Sequence, residues 1–197
     1  MSALDAGGLA RVGAGTSAFL ETVAGIGDDD FGRSTLLPRW RVAHVVAHVH
    51  FNALALQRLL TWARTGEPHP MYEPGQRDAE VEDGATWSPA RLRAAVGQSA
   101  EGLLAGLDAV TSSDLATPLR SAKGREITVA DVPWMRSREV WVHALDLGMP
   151  SAHLPEDVVG ALLVDAAGAR ASASEGPALA AWLTGRAAEP PRLGPWL

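Results

Sequence analysis

Glu139 and His143 stand four residues apart within the stretch 136–148. In a helix, side chains at i and i+4 stack on one face. Val140, Trp141, Ala144, Leu145 and Leu147 surround this pair with apolar surface. A carboxylate and an imidazole in such surroundings must pair with each other or hold something. A divalent metal suits mixed nitrogen and carboxylate donors, zinc foremost. Two ligands do not complete a site. His44 and His48 repeat the i,i+4 spacing earlier in the chain, with Asn52 one turn further on. The candidate ligands are therefore His44, His48, Glu139 and His143.

Each candidate also has a plainer role. Glu139 and His143 form an ordinary intrahelical pair in many helices, and Arg136 or Arg138 is also available to the carboxylate. His44 near a helix start can keep its ring in solvent. His48, between Ala47 and Val49, reads as inward-facing, whereas His50 falls near the opposite face. His69 and His153 lie beside prolines and receive no role. Asp146, three residues past His143, either orients a ligand imidazole or is a polar residue near a helix end. Arg77 reads as an exposed arginine or as a guanidinium that clamps a substrate carboxylate with two parallel hydrogen bonds.

Helices must position these groups. Leu9, Val12, Phe19, Leu20, Val23 and Ile26 predict a first helix over about residues 5–26. The second helix is the best defined. It runs from about Arg39 to Arg64, is stopped by Gly66, and would be roughly 38 Å long. Residues 66–87, rich in proline, predict a long loop with a short helical turn. Ser88-Pro89 opens a third helix reaching about Val110. Lys123-Gly124 turns a short hairpin in an otherwise irregular segment. A fourth helix follows with Asp131 as its N-cap and Gly148 at its end. Pro155 opens a fifth, and a short sixth spans about 177–184. The expected fold is all-α, a four-helix bundle over residues 1–150 with an appendage over 151–197 packing on it. Sites in such bundles form between facing helices, where His48 could meet Glu139 and His143.

Bulk properties narrow the function. Of 197 residues, 47% are hydrophobic and 20% charged, an ordinary globular composition. The formal charge of −6 argues against a nucleic-acid backbone as partner. No run of lysine or arginine suggests a lipid surface, and no apolar run approaches the ~20 residues of a membrane span. The start of the chain does not read as a signal peptide, so the expected location is the cytoplasm. With no cysteine, the chain supplies neither a disulfide nor a thiol nucleophile. Any sulfur chemistry must use a small-molecule thiol.

Several motifs, taken together, resemble one family. Trp40-x-x-x-His44-Val45-x-x-His48, then Asn52, Trp62-Ala63-x-Thr65-Gly66 and Pro70-Met71-Tyr72 ahead of Arg77-x-x-Glu80 are similar to the opening of the mycothiol-dependent maleylpyruvate isomerases. The block Trp134-Met135-Arg136-x-Arg138-Glu139-Val140-Trp141-Val142-His143-Ala144-x-Asp146-Leu147-Gly148 resembles that family's most distinctive segment. The resemblance implies a DinB-like four-helix bundle holding one zinc ion through His48, Glu139 and His143, and so selects His48 over His44. It implies an open fourth position facing the thiol of mycothiol. It also implies cis–trans isomerisation of maleylpyruvate, or a similar unsaturated dicarboxylate, by thiolate addition, bond rotation and elimination. Arg77 matches an arginine that holds the substrate carboxylate and counts as the catalytic and substrate-binding candidate.

Against that family, the ending Leu179–Arg186, then Pro190–Leu197, looks like the last part of a further α/β domain with its strands removed. Arg186 matches a position near the active site and is the second substrate-binding candidate. Its plainer role is a basic residue complementing a helix C-terminus. A mycothiol S-transferase or lyase on the same zinc–thiol platform and a non-catalytic zinc-binding bundle are the alternatives.

Overall fold

A computed structural model describes residues 2–194. The last part of the resemblance at the C-terminus, Pro195-Trp196-Leu197, lies outside the described residues. The chain divides into two compact units, residues 1–151 and 152–197.

The first unit is built on four long helices: α1 (Ala6–Ala24), α2 (Val42–Thr65), α4 (Pro89–Asp108) and α5 (Val132–Asp146), with a shorter α3 (Gln76–Gly84). α2 packs against α4, α1 against α5, and α2 also against α3 and α5. α2 is the central member. Every residue from Val42 to His50 is buried, and its far end contributes Leu56 and Leu59, both fully buried. Burying a leucine side chain contributes about 1.5–3 kcal/mol, so an inward face repeated over six turns anchors the helix strongly. Leu103 and Leu107 of α4 meet it in one core cluster. Leu119 and Ile127 join that cluster from a two-residue hairpin, β1 (Leu119–Arg120) with β2 (Glu126–Ile127), turned at Gly124 with φ 76°.

The helix ends follow local chemistry. Asp5 accepts a hydrogen bond from the Gly8 amide and starts α1, and Ser88 accepts from the Arg91 amide and starts α4 with Pro89 in its first turn. Gly66, with φ 73°, ends α2 in the left-handed conformation. One boundary differs from expectation. α2 begins at Val42 rather than Arg39, because Arg39 has φ 67° and Arg41 is extended. Asp131 takes the N-cap position of α5, as expected, but its side chain makes no capping bond to that helix. Its carboxylate accepts from the Thr128 amide at 2.8 Å and closes a 3-10 turn ahead of the helix. The segment 66–87 also carries more structure than a loop with one helical turn, since α3 spans nine residues.

α1 and α5 approach closely at one point. A Cβ on Gly15 would lie 2.6 Å from Trp141 Nε1 and 2.7 Å from Val140 Cγ2. Only glycine fits there, and its presence lets α5 sit against α1 with Glu139 and His143 turned toward α2.

The second unit contains α6 (Glu156–Ser172) and α7 (Gly176–Leu183) packed on each other. Ser174, at φ 65°, makes the turn between them. Arg170 pairs with Glu175 at 2.9 Å, and Glu175 also accepts from the Gly194 amide. Among the described residues, no helix is long and apolar enough to cross a membrane.

Candidate metal centre

His48 comes from the second turn of α2, and Glu139 and His143 from successive turns of α5. The two helices face each other so that His48 Nε2 lies 2.9 Å from Glu139 Oε2. His143 Nε2 lies 3.4 Å from the same oxygen. One ligand atom from each of the three residues falls within 4.8 Å of the others. The imidazole rings of His48 and His143 meet edge to face, with centroids 4.9 Å apart. All three side chains are buried.

The donor set fits a divalent cation. A tetrahedral ion with bonds of about 2.0–2.2 Å separates neighbouring donors by roughly 3.3–3.6 Å. One observed separation lies in that range, and the other is a hydrogen-bonded pair a few tenths of an ångström tighter. His143 Nε2 has no hydrogen-bond partner although it is buried. A buried polar atom left without a partner is costly unless something else binds it. Asp146 Oδ2 sits 2.8 Å from the other ring nitrogen, Nδ1. That contact holds a proton on Nδ1, so that Nε2 is the nitrogen that would face a metal once its own proton is displaced. A carboxylate behind a ligand histidine is a recurring support of metal sites. Of the two readings of Asp146, the orienting one therefore has its geometry.

Electrostatics agree with a site that expects a positive charge. Burial alone would raise the Glu139 carboxyl, but the imidazoles of His143 and His48 beside it outweigh burial and hold the group well below the usual carboxylate range. Burial lowers His48, against the opposing pull of Glu139. Burial also works to lower His143, yet the carboxylates of Asp146 and Glu139 overcome it and push that imidazole up to about 9. Without a metal, a proton on His143 occupies the role that a cation would take.

His44 is not part of this cluster. Its Nδ1 accepts from the Arg41 amide at 3.3 Å, where it serves the N-terminus of α2. Its Nε2 is 3.6 Å from Glu82. The ring is buried, contrary to a solvent-facing histidine. His50 points away to Ser99 Oγ (2.9 Å) and the Ala95 carbonyl (3.0 Å), as its place on the opposite face requires.

Arg77 stands in the first turn of α3, with its side chain 40% exposed and its Nη1 3.0 Å from Asp78. Its guanidinium lies 5.8 Å from the centroid of the Trp40 indole, which itself lies 5.3 Å from the His48 ring. Arg186 belongs to the second unit. It is exposed just beyond α7, and its Nη1 donates to the Thr184 carbonyl.

Two residues of this neighbourhood carry more than their sequence motif suggested. Trp40 packs on His48 with centroids 5.3 Å apart, and on His44 and His143 at 6.4 Å each. Arg136 is 1% exposed and does not hydrogen-bond Glu139. Its Nη1 donates to the Val49 carbonyl at 2.8 Å and to Asn52 Oδ1 at 2.9 Å. Burial lowers its pKa to about 10, opposed by Glu139 and Tyr72, so it remains a cation at neutral pH. The spacing Arg136-x-x-Glu139 signalled a nearby charge. It did not signal that the guanidinium would cross to the other helix.

Comparison with known proteins places this architecture. Residues 12–148 match the family model described as the mycothiol maleylpyruvate isomerase N-terminal domain. Two solved structures are similar to the chain: a mycothiol-dependent maleylpyruvate isomerase and a histidine-to-alanine mutant of a mycothiol-dependent maleylpyruvate isomerase. Each is 34% identical, superposes with a TM-score of 0.76, and is matched over 81% of this chain and 67% of its own length. No curated protein sequence matches the chain. With more than half of this chain, residues 12–148, matched to that domain, and the same fold at 34% identity, the chain belongs to the mycothiol maleylpyruvate isomerase N-terminal domain family.

Proposed function

We propose that this protein is a zinc- and mycothiol-dependent isomerase that converts maleylpyruvate, or a similar cis-unsaturated dicarboxylate, to its trans isomer. The observation that carries the reading is the meeting of His48, Glu139 and His143 on facing helices, with the Nε2 of His143 buried and without a partner. The mycothiol-dependent neighbours and the absence of any cysteine in this chain support a borrowed thiol as nucleophile.

His48, Glu139 and His143 would hold the ion. A bound divalent zinc lowers the pKa of a thiol that reaches it, so that sulfur is nucleophilic at neutral pH. The sulfur adds to one carbon of the cis double bond, and the electron pair moves onto the conjugated carbonyl oxygen as an enolate. The former double bond, now single, rotates. The enolate collapses, the carbon–sulfur bond breaks, and the trans double bond forms with the thiol released unchanged. No net proton or electron is consumed.

The chain's own groups have three tasks in this scheme. Asp146 keeps a proton on His143 Nδ1 and so presents Nε2 to the ion. Arg77, half-exposed beside the cluster, binds a substrate carboxylate through its planar guanidinium. Arg186, from the family resemblance, is a second candidate for the other carboxylate.

The test is turnover by the zinc-loaded protein with mycothiol and maleylpyruvate, followed by absorbance and mass spectrometry. Fumarylpyruvate formed only when both zinc and thiol are present supports the proposal. No product would overturn it, and a stable thiol adduct would instead mark an S-transferase or lyase. Arg77→Ala and Arg186→Ala each raise KM if these arginines bind the carboxylates.

A further inference from the structure

Trp40 touches the cluster from outside the bundle helices. The segment leading to it is a small, well-tied loop. Ser34 and Arg41 form an antiparallel bridge, and the Val42 amide donates to the Arg33 carbonyl at 3.0 Å. Thr35 donates to the Trp40 carbonyl from both its amide (3.0 Å) and its hydroxyl (2.9 Å). Within the loop, Arg39 holds φ 67° without being glycine. A left-handed conformation at such a residue is strained and persists only where the surroundings enforce it. The indole of the next residue, Trp40, lies over the start of α2.

There the indole meets three elements at once. It lies on His44 and His48 of α2 and on His143 of α5, within the usual range of aromatic contact. The Arg77 guanidinium of α3 lies 5.8 Å from the centroid of the same indole, at cation–π range. Among the described residues, Arg77 otherwise pairs with the exposed carboxylate of Asp78, its immediate neighbour on the helix surface. That pair cannot by itself direct the guanidinium toward the histidines.

We infer that Trp40 is a positioning residue, which through its indole holds the Arg77 guanidinium beside the His48–Glu139–His143 cluster. The assignment to substrate rests on the proposed function, in which Arg77 binds a carboxylate. The contact itself does not. A cation–π contact of this kind shifts a population about 2- to 5-fold at a partly exposed site, which sets the size of the effect.

Two measurements on the zinc-loaded full chain test it. In the first, the emission of Trp40 is isolated by subtracting the spectrum of Trp40→Phe from that of the wild type. The same subtraction is repeated on Arg77→Ala and the double variant Arg77→Ala/Trp40→Phe. Trp40 emission shifts to longer wavelength when Arg77 is absent if the two side chains are in contact. An unchanged Trp40 difference spectrum overturns the inference. In the second, the affinity for maleate, a simple cis-dicarboxylate, is measured by calorimetry. Arg77→Ala weakens binding about 10-fold or more, Trp40→Ala weakens it about 2- to 5-fold, and Trp40→Phe restores most of that loss. The double variant Arg77→Ala/Trp40→Ala binds no worse than Arg77→Ala. Additive losses overturn the positioning role. Unaltered maleate affinity in Arg77→Ala, with the fluorescence shift present, overturns the carboxylate role of Arg77 and leaves the Trp40 contact standing.

Discussion

Arg136 on α5 donates to the carbonyl of Val49 on α2 at 2.8 Å, next in sequence to His48. The donor lies three residues before Glu139 and the acceptor one residue after His48. This buried contact therefore fixes the register in which the ligands of the two helices meet. The second bond, to Asn52 Oδ1 at 2.9 Å, makes the register specific, because only one turn of α2 offers both acceptors.

Removing that tie should loosen the metal centre without touching a ligand. Arg136→Met is expected to lower stability by about 1.5–3 kcal/mol, the range for hydrogen bonds to a charged group, and to weaken metal binding. Arg136→Lys keeps the charge but not the fork of donors, and should fall between the two. Urea unfolding and competitive zinc titration measure both quantities. Wild-type zinc affinity in a folded Arg136→Met would show that register does not depend on this contact.

Asp146→Asn tests the support behind His143. An amide can accept from Nδ1 but supplies no charge, so the ring loses its orientation and basicity. Zinc affinity should drop by about 10- to 100-fold. In the metal-free protein, the His143 pKa should fall from its present value of about 9, as followed by NMR of the imidazole protons. Unchanged values of both would remove Asp146 from the site.

The metal-free protein should have a stability maximum near pH 6.5, set by groups of opposite sign. His143 has a folded pKa raised to about 9, so its contribution is complete below about 6.5 and is lost as the pH rises through 9. His48 and His50 are both lowered by burial, so the unfolded chain takes up protons that the fold excludes, and stability falls as the pH drops below about 6.5. Glu139, held low, adds a further loss at acid pH, once its carboxylate is protonated. Zinc replaces the proton on His143 and should abolish the alkaline decline. Unfolding at pH 5, 6.5 and 9, with zinc and with chelator, gives the profile. A metal-free protein that gains stability from pH 6.5 to 9 would contradict it.

Much of this was legible in the residues, and the parts that were not have physical causes. The i,i+4 spacing of Glu139 and His143 and the apolar surroundings of His48 marked them as candidates, because helical periodicity decides which side chains share a face, while the choice of His48 over His44 came from the family resemblance. The starts of α1 and α4 were equally plain, since Asp5 and Ser88 cap by short-range chemistry. Asp131 holds the N-cap position as its place before Pro133 suggested, but its carboxylate turns back to Thr128. A carboxylate ahead of a proline is also the partner of Thr128, and local sequence does not rank two nearby amides. The start of α2 was hidden by the left-handed Arg39, which no residue type announces. The crossing of Arg136 to Val49, the indole of Trp40 over two helices and the close approach at Gly15 depend on which helices become neighbours. That information resides in packing rather than in any single segment.

The central claim is that His48, Glu139 and His143 together hold a metal ion, and metal content tests it most directly. Purified protein saturated with zinc and freed of excess should carry about one equivalent per chain, as a single three-ligand site allows. His48→Ala, Glu139→Gln and His143→Ala should each lower that content sharply, while His44→Ala, on the same helix face one turn away, should leave it unchanged. Full zinc content in the three ligand variants, or its loss in His44→Ala alone, would contradict the account.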